Sequence, residues 1–189
     1  MKQKLFICIV ILATGNLFAG ALDITEGYGK TKWGQSGDDV KQEFPGLSET
    51  EASGTIKEYE ATADAPVSSL RFMFVADQLF MVTAQYELAG KPEKGIDEDG
   101  LEFVKDLVDK KYHSDDEIKK ELKKNGIRIS VYPKPDGTIN VSYENNTVYT
   151  KVQQLLAEQK RQAAIEAKDA RKGSERFEKV KESGIEDTL

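Results

Sequence analysis

The residue types that most often carry chemistry are scarce in this chain. Its 189 residues include one histidine, His113, and one cysteine, Cys8. A nucleophilic triad needs a base beside its nucleophile and a third group to orient that base. A single histidine without a G-x-S-x-G elbow offers no such set, and His113 reads as a surface residue linking two helices. The run Asp97-Glu98-Asp99-Gly100 matches part of a calcium loop. A complete loop also needs an oxygen ligand at its first position and a bidentate glutamate at its twelfth. The matching register puts Gly95 first and Asp106 twelfth, so the acids read as the start of a helix, where the dipole favours negative charge. No G-x-x-x-x-G-K-[ST] or G-x-G-x-x-G phosphate loop occurs. The 33 carboxylates single out no acid–base pair. The sequence thus nominates no catalytic residue, no cofactor-binding residue and no metal ligand.

Aromatic side chains are the other candidates, because they supply much of the energy of contact surfaces. Trp33, Tyr59, Phe72, Phe74, Phe80, Tyr86, Tyr132, Tyr143 and Tyr149 concentrate on a lead-in segment and on strands. Two readings stand side by side: a sheet core with cross-strand pairs, or an exposed face for a protein or a small ligand. Under the second, the protein-binding positions are Trp33, Phe72, Phe74 and Tyr86 on the body and Phe177 near the end.

These residues need a scaffold, and the patterning supplies one. Leu22 to Lys32 is polar and glycine-bearing and reads as irregular. Ser36, with Asp39 three residues on, marks a helix start, and Pro45-Gly46 stops that helix after about two turns. Thr55–Ala63, Ser68–Ala76 and Leu79–Leu88 read as three strands with short links, hence an antiparallel meander. Leu101, Val104, Leu107 and Val108 fall at helical spacing within Asp97–Lys111. Ser114-Asp115-Asp116-Glu117 reads as a capping box for a helix over Asp115–Lys124, stopped at Asn125-Gly126. Ile127–Tyr132 and Thr138–Tyr143 form a hairpin around Pro133 to Gly137, with Ile127, Ile129 and Val131 opposing Ile139, Val141 and Tyr143. The predicted fold is α+β: an antiparallel sheet of about five strands with helices on one face, plus a C-terminal polar helix or tail.

The ends carry different signals. Two lysines, the apolar run Leu5–Ala13 and the small-residue exit Ala19-Gly20-Ala21 have the composition of a secretory signal peptide. Cleavage before Leu22 fits, with cleavage after Ala19 or an uncleaved anchor as alternatives. Cys8 comes too early to be a lipid-anchored cysteine. The expected organisation is a signal peptide over 1–21, a domain over 22–155, and a charged helical or disordered tail over 156–189. The mature chain lacks cysteine and therefore disulfides, which favours a bacterial periplasm over a disulfide-stapled extracellular setting. The full chain has a net charge of −6, with 27 basic and 33 acidic residues and a mean hydropathy of −0.53. An acidic body repels phosphate backbones, so nucleic acid is not an expected partner.

Trp33-Gly34-Gln35-Ser36 followed by Val40 resembles the opening of exported bacterial α/β-meander domains of the β-lactamase-inhibitor-like and outer-membrane-assembly-lipoprotein-like grouping. The resemblance covers Lys32 to Lys111. It departs in having no lipobox cysteine and no disulfide pair, and Lys111-Tyr112-His113-Ser114 replaces the usual Tyr-Gly-x-Pro. The likeness implies a small non-enzymatic domain that docks proteins at the envelope, and it transfers no catalytic residue. The functional expectation is an exported protein-interaction module, periplasmic, secreted or surface-associated, with an envelope protein as partner. The alternatives are a small-ligand carrier using a sheet–helix cavity and a carboxylate-based hydrolase.

Overall fold

The computed structural model describes the backbone of residues 23–90, 92 and 94–182, and the side chains of these except 51–53 and 172–182. The proposed leader and Cys8 lie outside the described residues.

The sheet has six strands: β1 (Ser48–Ser53), β2 (Ile56–Thr62), β3 (Val67–Val75), β4 (Gln78–Tyr86), β5 (Ile127–Pro133) and β6 (Ile139–Asn145). Every neighbouring pair is antiparallel, in the order β1-β2-β3-β4-β6-β5. The α+β architecture follows the patterning, with one strand more than the predicted five. That extra strand is β1, S-E-T-E-A-S, which has no apolar alternation to announce it. Its backbone pairs with β2, and Ser48 and Thr50 donate hydroxyl hydrogen bonds to the carbonyls of Glu60 and Glu58. An edge strand can be held by its ladder alone.

Four helices complete the fold: α1 (Gly37–Glu43), α2 (Glu98–Val108), α3 (Asp116–Lys124) and α4 (Asn146–Glu182). Their starts are set by side-chain caps. Ser36 accepts from the Asp39 N–H, and Asp97 accepts from the Gly100 N–H at 3.0 Å, which accounts for the acid run there. The cap of α3 is Asp115, whose carboxylate accepts from the Glu117 and Ile118 N–H groups. Ser114, expected in that role, instead donates to the Lys110 carbonyl. Between α2 and α3 the chain makes one wide π turn, Asp109–His113, which swings Tyr112 into the core.

Alternation along the strands sorts side chains onto two faces. On one face, Tyr59, Phe72, Val82, Tyr143 and Ile129 form a continuous row across five strands. Ala61, Leu70, Ala84, Val141 and Val131 form the next. Val40 of α1, Val104 and Val108 of α2, and Leu122 of α3 pack into the same core cluster. Burial of such side chains is the main stabilising term, roughly 1.5–3 kcal/mol for each large one.

The lead-in is more ordered than its composition suggests. Asp23–Thr25 forms a 3₁₀ turn, Ile24 and Tyr28 join the core, and the Trp33 indole N–H donates to the Ile24 carbonyl at 2.8 Å. Gly34 and Gln35 exchange backbone hydrogen bonds with Leu79 of β4. At the other end, α4 follows β6 directly, with Asn145 accepting from the Val148 N–H. It begins before the predicted tail boundary at Leu156 and continues through Gly173. The chain divides into two compact units after Thr150. No helix among the described residues is long and apolar enough to cross a membrane.

Candidate functional site

Three places in the body bring polar chemistry together. The first lies inside the helix-facing core. The Tyr28 and Tyr143 rings approach to 4.9 Å, and Tyr112 meets Tyr143 edge-on at 6.1 Å. The Tyr112 and Tyr143 phenols share a hydrogen bond. Burial pushes the phenols of Tyr86 and Tyr112 up to about 12 and raises those of Tyr28 and Tyr143 well above the usual tyrosine range. A tyrosine held neutral at every physiological pH packs and donates hydrogen bonds. Lys111 beside this cluster is lowered to about 8 by desolvation, against the opposing charge of Asp23, with its ammonium 5.1 Å from the Tyr112 ring centroid. This layer is structural.

The second place is the opposite face of the sheet. Its rows are polar: Glu60, Arg71, Thr83, Ser142 and Ser130 in one, Thr62, Ser69, Gln85, Asn140 and Tyr132 in the next. Most of these groups are spent on one another. Arg71 lies 3.6 Å from Glu58 and 3.8 Å from Glu60. The Thr83 and Ser142 hydroxyls bond at 2.8 Å, Tyr132 reaches Ser142 at 3.3 Å, and the Lys134 ammonium donates to Gln85 at 3.1 Å. The buried atoms Ser69 Oγ and Asn140 Oδ1 have no partner among the described residues. The carboxylates here serve as counter-ions to arginine.

The third place is a cleft of about 370 Å³ where α3 meets the outer strand β5. It is lined by His113 from the π turn, Lys119, Leu122 and Lys123 from α3, Gly126 to Ile129, and Asn146. Ile127 and Ile129 belong to the helix-facing side of β5, whereas Arg128 points to the other side. β5 is the last strand of the sheet, so every second residue turns its N–H and C=O away from β6 with no further strand to receive them. Gly126 shapes the entrance. It has φ +68°, and a Cβ there would overlap the Thr147 hydroxyl, so only glycine fits.

The basic side chains of the cleft are largely matched by carboxylates just outside its lining. Three of its nine lining residues, Lys119, Lys123 and Arg128, are cations, and none is a carboxylate. Lys119 pairs with Asp116 at 3.0 Å and His113 Nδ1 lies 2.8 Å from Asp109, both at the surface. Arg128 pairs with Glu144 at 2.6 Å across the ladder yet remains 67% exposed. Lys123 has no ion pair among the described residues. Among those residues, no three histidine, cysteine, aspartate or glutamate side chains gather as a metal-binding group.

The aromatic positions nominated for binding fall elsewhere. Phe72 and Phe74 are 0% exposed on the helix-facing side and pack the core, so neither presents a surface to a partner. Trp33 is partly buried against the core and ties down the lead-in, and Tyr86 lies at the end of β4 beside the same cluster. Phe177 is on α4, with its side chain outside the described residues. None of them lines the cleft. The residues that do line it had no motif to mark them. Their one sequence signal was a helix bearing Lys119 and Lys123 at i,i+4 immediately before the apolar strand Ile127–Tyr132. No family model, curated protein or solved structure matches the chain.

Proposed function

We propose that this chain is an exported, non-catalytic protein-interaction module of the bacterial envelope, resident in the periplasm, and that it docks its partner along β5. The observation that carries the reading is the outer edge of β5, which has no neighbouring strand among the described residues and lies beside the cleft next to α3. Added strands gain main-chain hydrogen bonds from such an edge, and adjoining pockets select side chains. The leader-like composition of residues 1–21 and the absence of cysteine after Cys8 support export to a compartment where the fold needs no disulfide.

The alternatives fit the geometry less well. A carrier needs a void between sheet and helices, but Phe72, Phe74, Leu79 and Ile139 fill that interface with essentially no exposure. A carboxylate hydrolase needs two acids free to exchange protons, and Glu58, Glu60 and Glu144 are each held against an arginine.

Photo-crosslinking in the native host tests the proposal. A benzophenone side chain at Lys123, on the cleft rim, should capture one discrete envelope protein, and the same probe at Thr50 on β1 should capture none. Equal capture at both positions, or retention of the chain in the cytoplasm with Met1 attached, overturns it.

A further inference from the structure

The link between α3 and β5 contains a reactive pair. Asn125 is the one asparagine in the sequence that is followed by glycine. A backbone nitrogen can attack the side-chain amide of a preceding asparagine, and a side chain on the attacking residue obstructs the approach. Glycine carries no such obstruction and has the widest backbone freedom. We infer that Asn125–Gly126 is a modification site that the fold holds closed, and that its conversion to aspartate or isoaspartate loosens the end of α3.

The step needs only water. The Gly126 nitrogen gives up its proton and bonds to Asn125 Cγ; the Cγ–Nδ2 bond breaks, and Nδ2 leaves with that proton as ammonia. Water then opens the cyclic imide. Breaking the bond at Cγ gives aspartate, and breaking it at the Asn125 backbone carbonyl carbon gives isoaspartate.

The native geometry opposes this step at each reacting atom. Closing the five-membered ring requires the Gly126 nitrogen to eclipse Asn125 Cβ about the Cα–C bond. At ψ 2° it eclipses the Asn125 backbone nitrogen instead, roughly a third of a turn away. The Gly126 N–H is engaged, donating to the Lys123 carbonyl at 3.1 Å. The leaving group is engaged too: Asn125 Nδ2 donates to the Glu121 carbonyl at 2.9 Å and to the Glu121 carboxylate at 3.0 Å. Both carbonyls of the pair are tied to the start of α4. The Thr147 hydroxyl donates to that of Asn125 at 3.3 Å, and the Asn146 N–H donates to that of Gly126 at 2.9 Å. Reaction therefore waits on local opening of this corner.

The same contacts set the consequence. An acid at position 125 has no N–H to give Glu121, and two carboxylates would then face each other one helical turn apart. The Glu121 carboxyl is held below the usual range by Lys124 first and by Asn125 second, so it is ionised and repels the newcomer. The new charge would also sit at the C-terminus of α3, where the helix dipole disfavours it.

The experiment ages the full chain at mildly alkaline pH, folded and in urea, and reads conversion by peptide mapping with mass spectrometry. In urea, Asn125 should convert faster than Asn140 and Asn145, which are followed by valine and asparagine. In the folded chain it should convert at least about tenfold more slowly than in urea. Glu121→Ala, which removes one of the two restraints on Nδ2, should speed conversion of the folded chain and leave the rate in urea unchanged. Asn125→Asp should melt about 2–4 °C below the parent. Absence of any preference for Asn125 in urea would refute the site. Equal rates in the folded and unfolded chain would refute its protection, and an unchanged folded rate in Glu121→Ala would remove Glu121 from that role. An Asn125→Asp variant that melts as the parent does would refute the loosening of α3.

Discussion

The two outer strands of this sheet solve the same problem in opposite ways. β1 has the sequence S-E-T-E-A-S, mostly hydroxyls and carboxylates, and its pairing with β2 includes a bulge. β5 carries Ile127, Ile129 and Val131, packs into the core, and borders a cationic cleft. Charge and bulging are the usual ways to close an edge against adventitious pairing. β1 shows both, and β5 has a single charge of its own and no bulge. The contrast teaches that two edges of one sheet can be closed by different means, and on the docking reading it makes β5 the side at which a partner would add.

The contrast breaks most readily at the level of stability. Ile127→Ala removes a side chain only 8% exposed and should cost about 2–4 kcal/mol in urea denaturation. Thr50→Ala at the exposed β1 edge removes a hydroxyl shared between the Glu58 carbonyl and carboxylate and should cost less than about 1 kcal/mol. Comparable losses at the two sites would mean that β1 is as integral as β5. Hydrogen exchange sharpens the point. The β1 amides bonded to β2 should exchange by local fraying at least about tenfold faster than the β5 amides bonded to β6, because little apolar area holds β1 closed. Equal protection would remove the distinction.

The smallest effect is in pH. Tyr86 and Tyr112 hold their protons to about 12, whereas an unfolded tyrosine releases its proton near 10. Above pH 10 the unfolded chain therefore binds fewer protons than the folded one, and stability falls as pH rises from 10 towards 12. Lys111 has the opposite sign. Lowered to about 8, it leaves the unfolded chain with more protons between 8 and 10.5, so it adds stability as pH rises through that window. Chemical denaturation across pH 7–12 should give a shallow maximum near 10, and Tyr112→Phe should flatten the alkaline side. An alkaline limb unchanged in that variant would show that the phenols beneath β5 and β6 do not govern it.

Local chemistry made much of this fold legible. Ser36 and Asp97 announced helix starts, alternation at Leu70, Phe72 and Phe74 announced a strand, and the hairpin of Ile127–Tyr132 with Thr138–Tyr143 was visible in its faces, although its register runs two residues further, with Ile127 opposite Asn145 and Ile129 opposite Tyr143. What escaped was non-local. Nothing in Ser48–Ser53 signals a strand, because its pairing is made by backbone. Nothing in β6 says that it inserts between β4 and β5, since that pairing joins Met81–Tyr86 to residues more than fifty positions away. The cleft escaped for the same reason. Lys119, Arg128 and Asn146 are unremarkable alone and become a site only when α3, β5 and the start of α4 converge. Phe72 and Phe74 looked equally suited to core and to contact, and only burial distinguishes the two.

The seating of Ile24 sets an order of events for the proposed export. This side chain is 3% exposed and holds the Trp33 indole through its carbonyl, only three positions beyond the suggested cut after Ala21. A peptidase that grips extended chain on both sides of its target bond would find those residues already locked in a finished body. On the export reading, trimming must precede closure, so the polypeptide reaches the processing enzyme as a loose thread and acquires its shape afterwards.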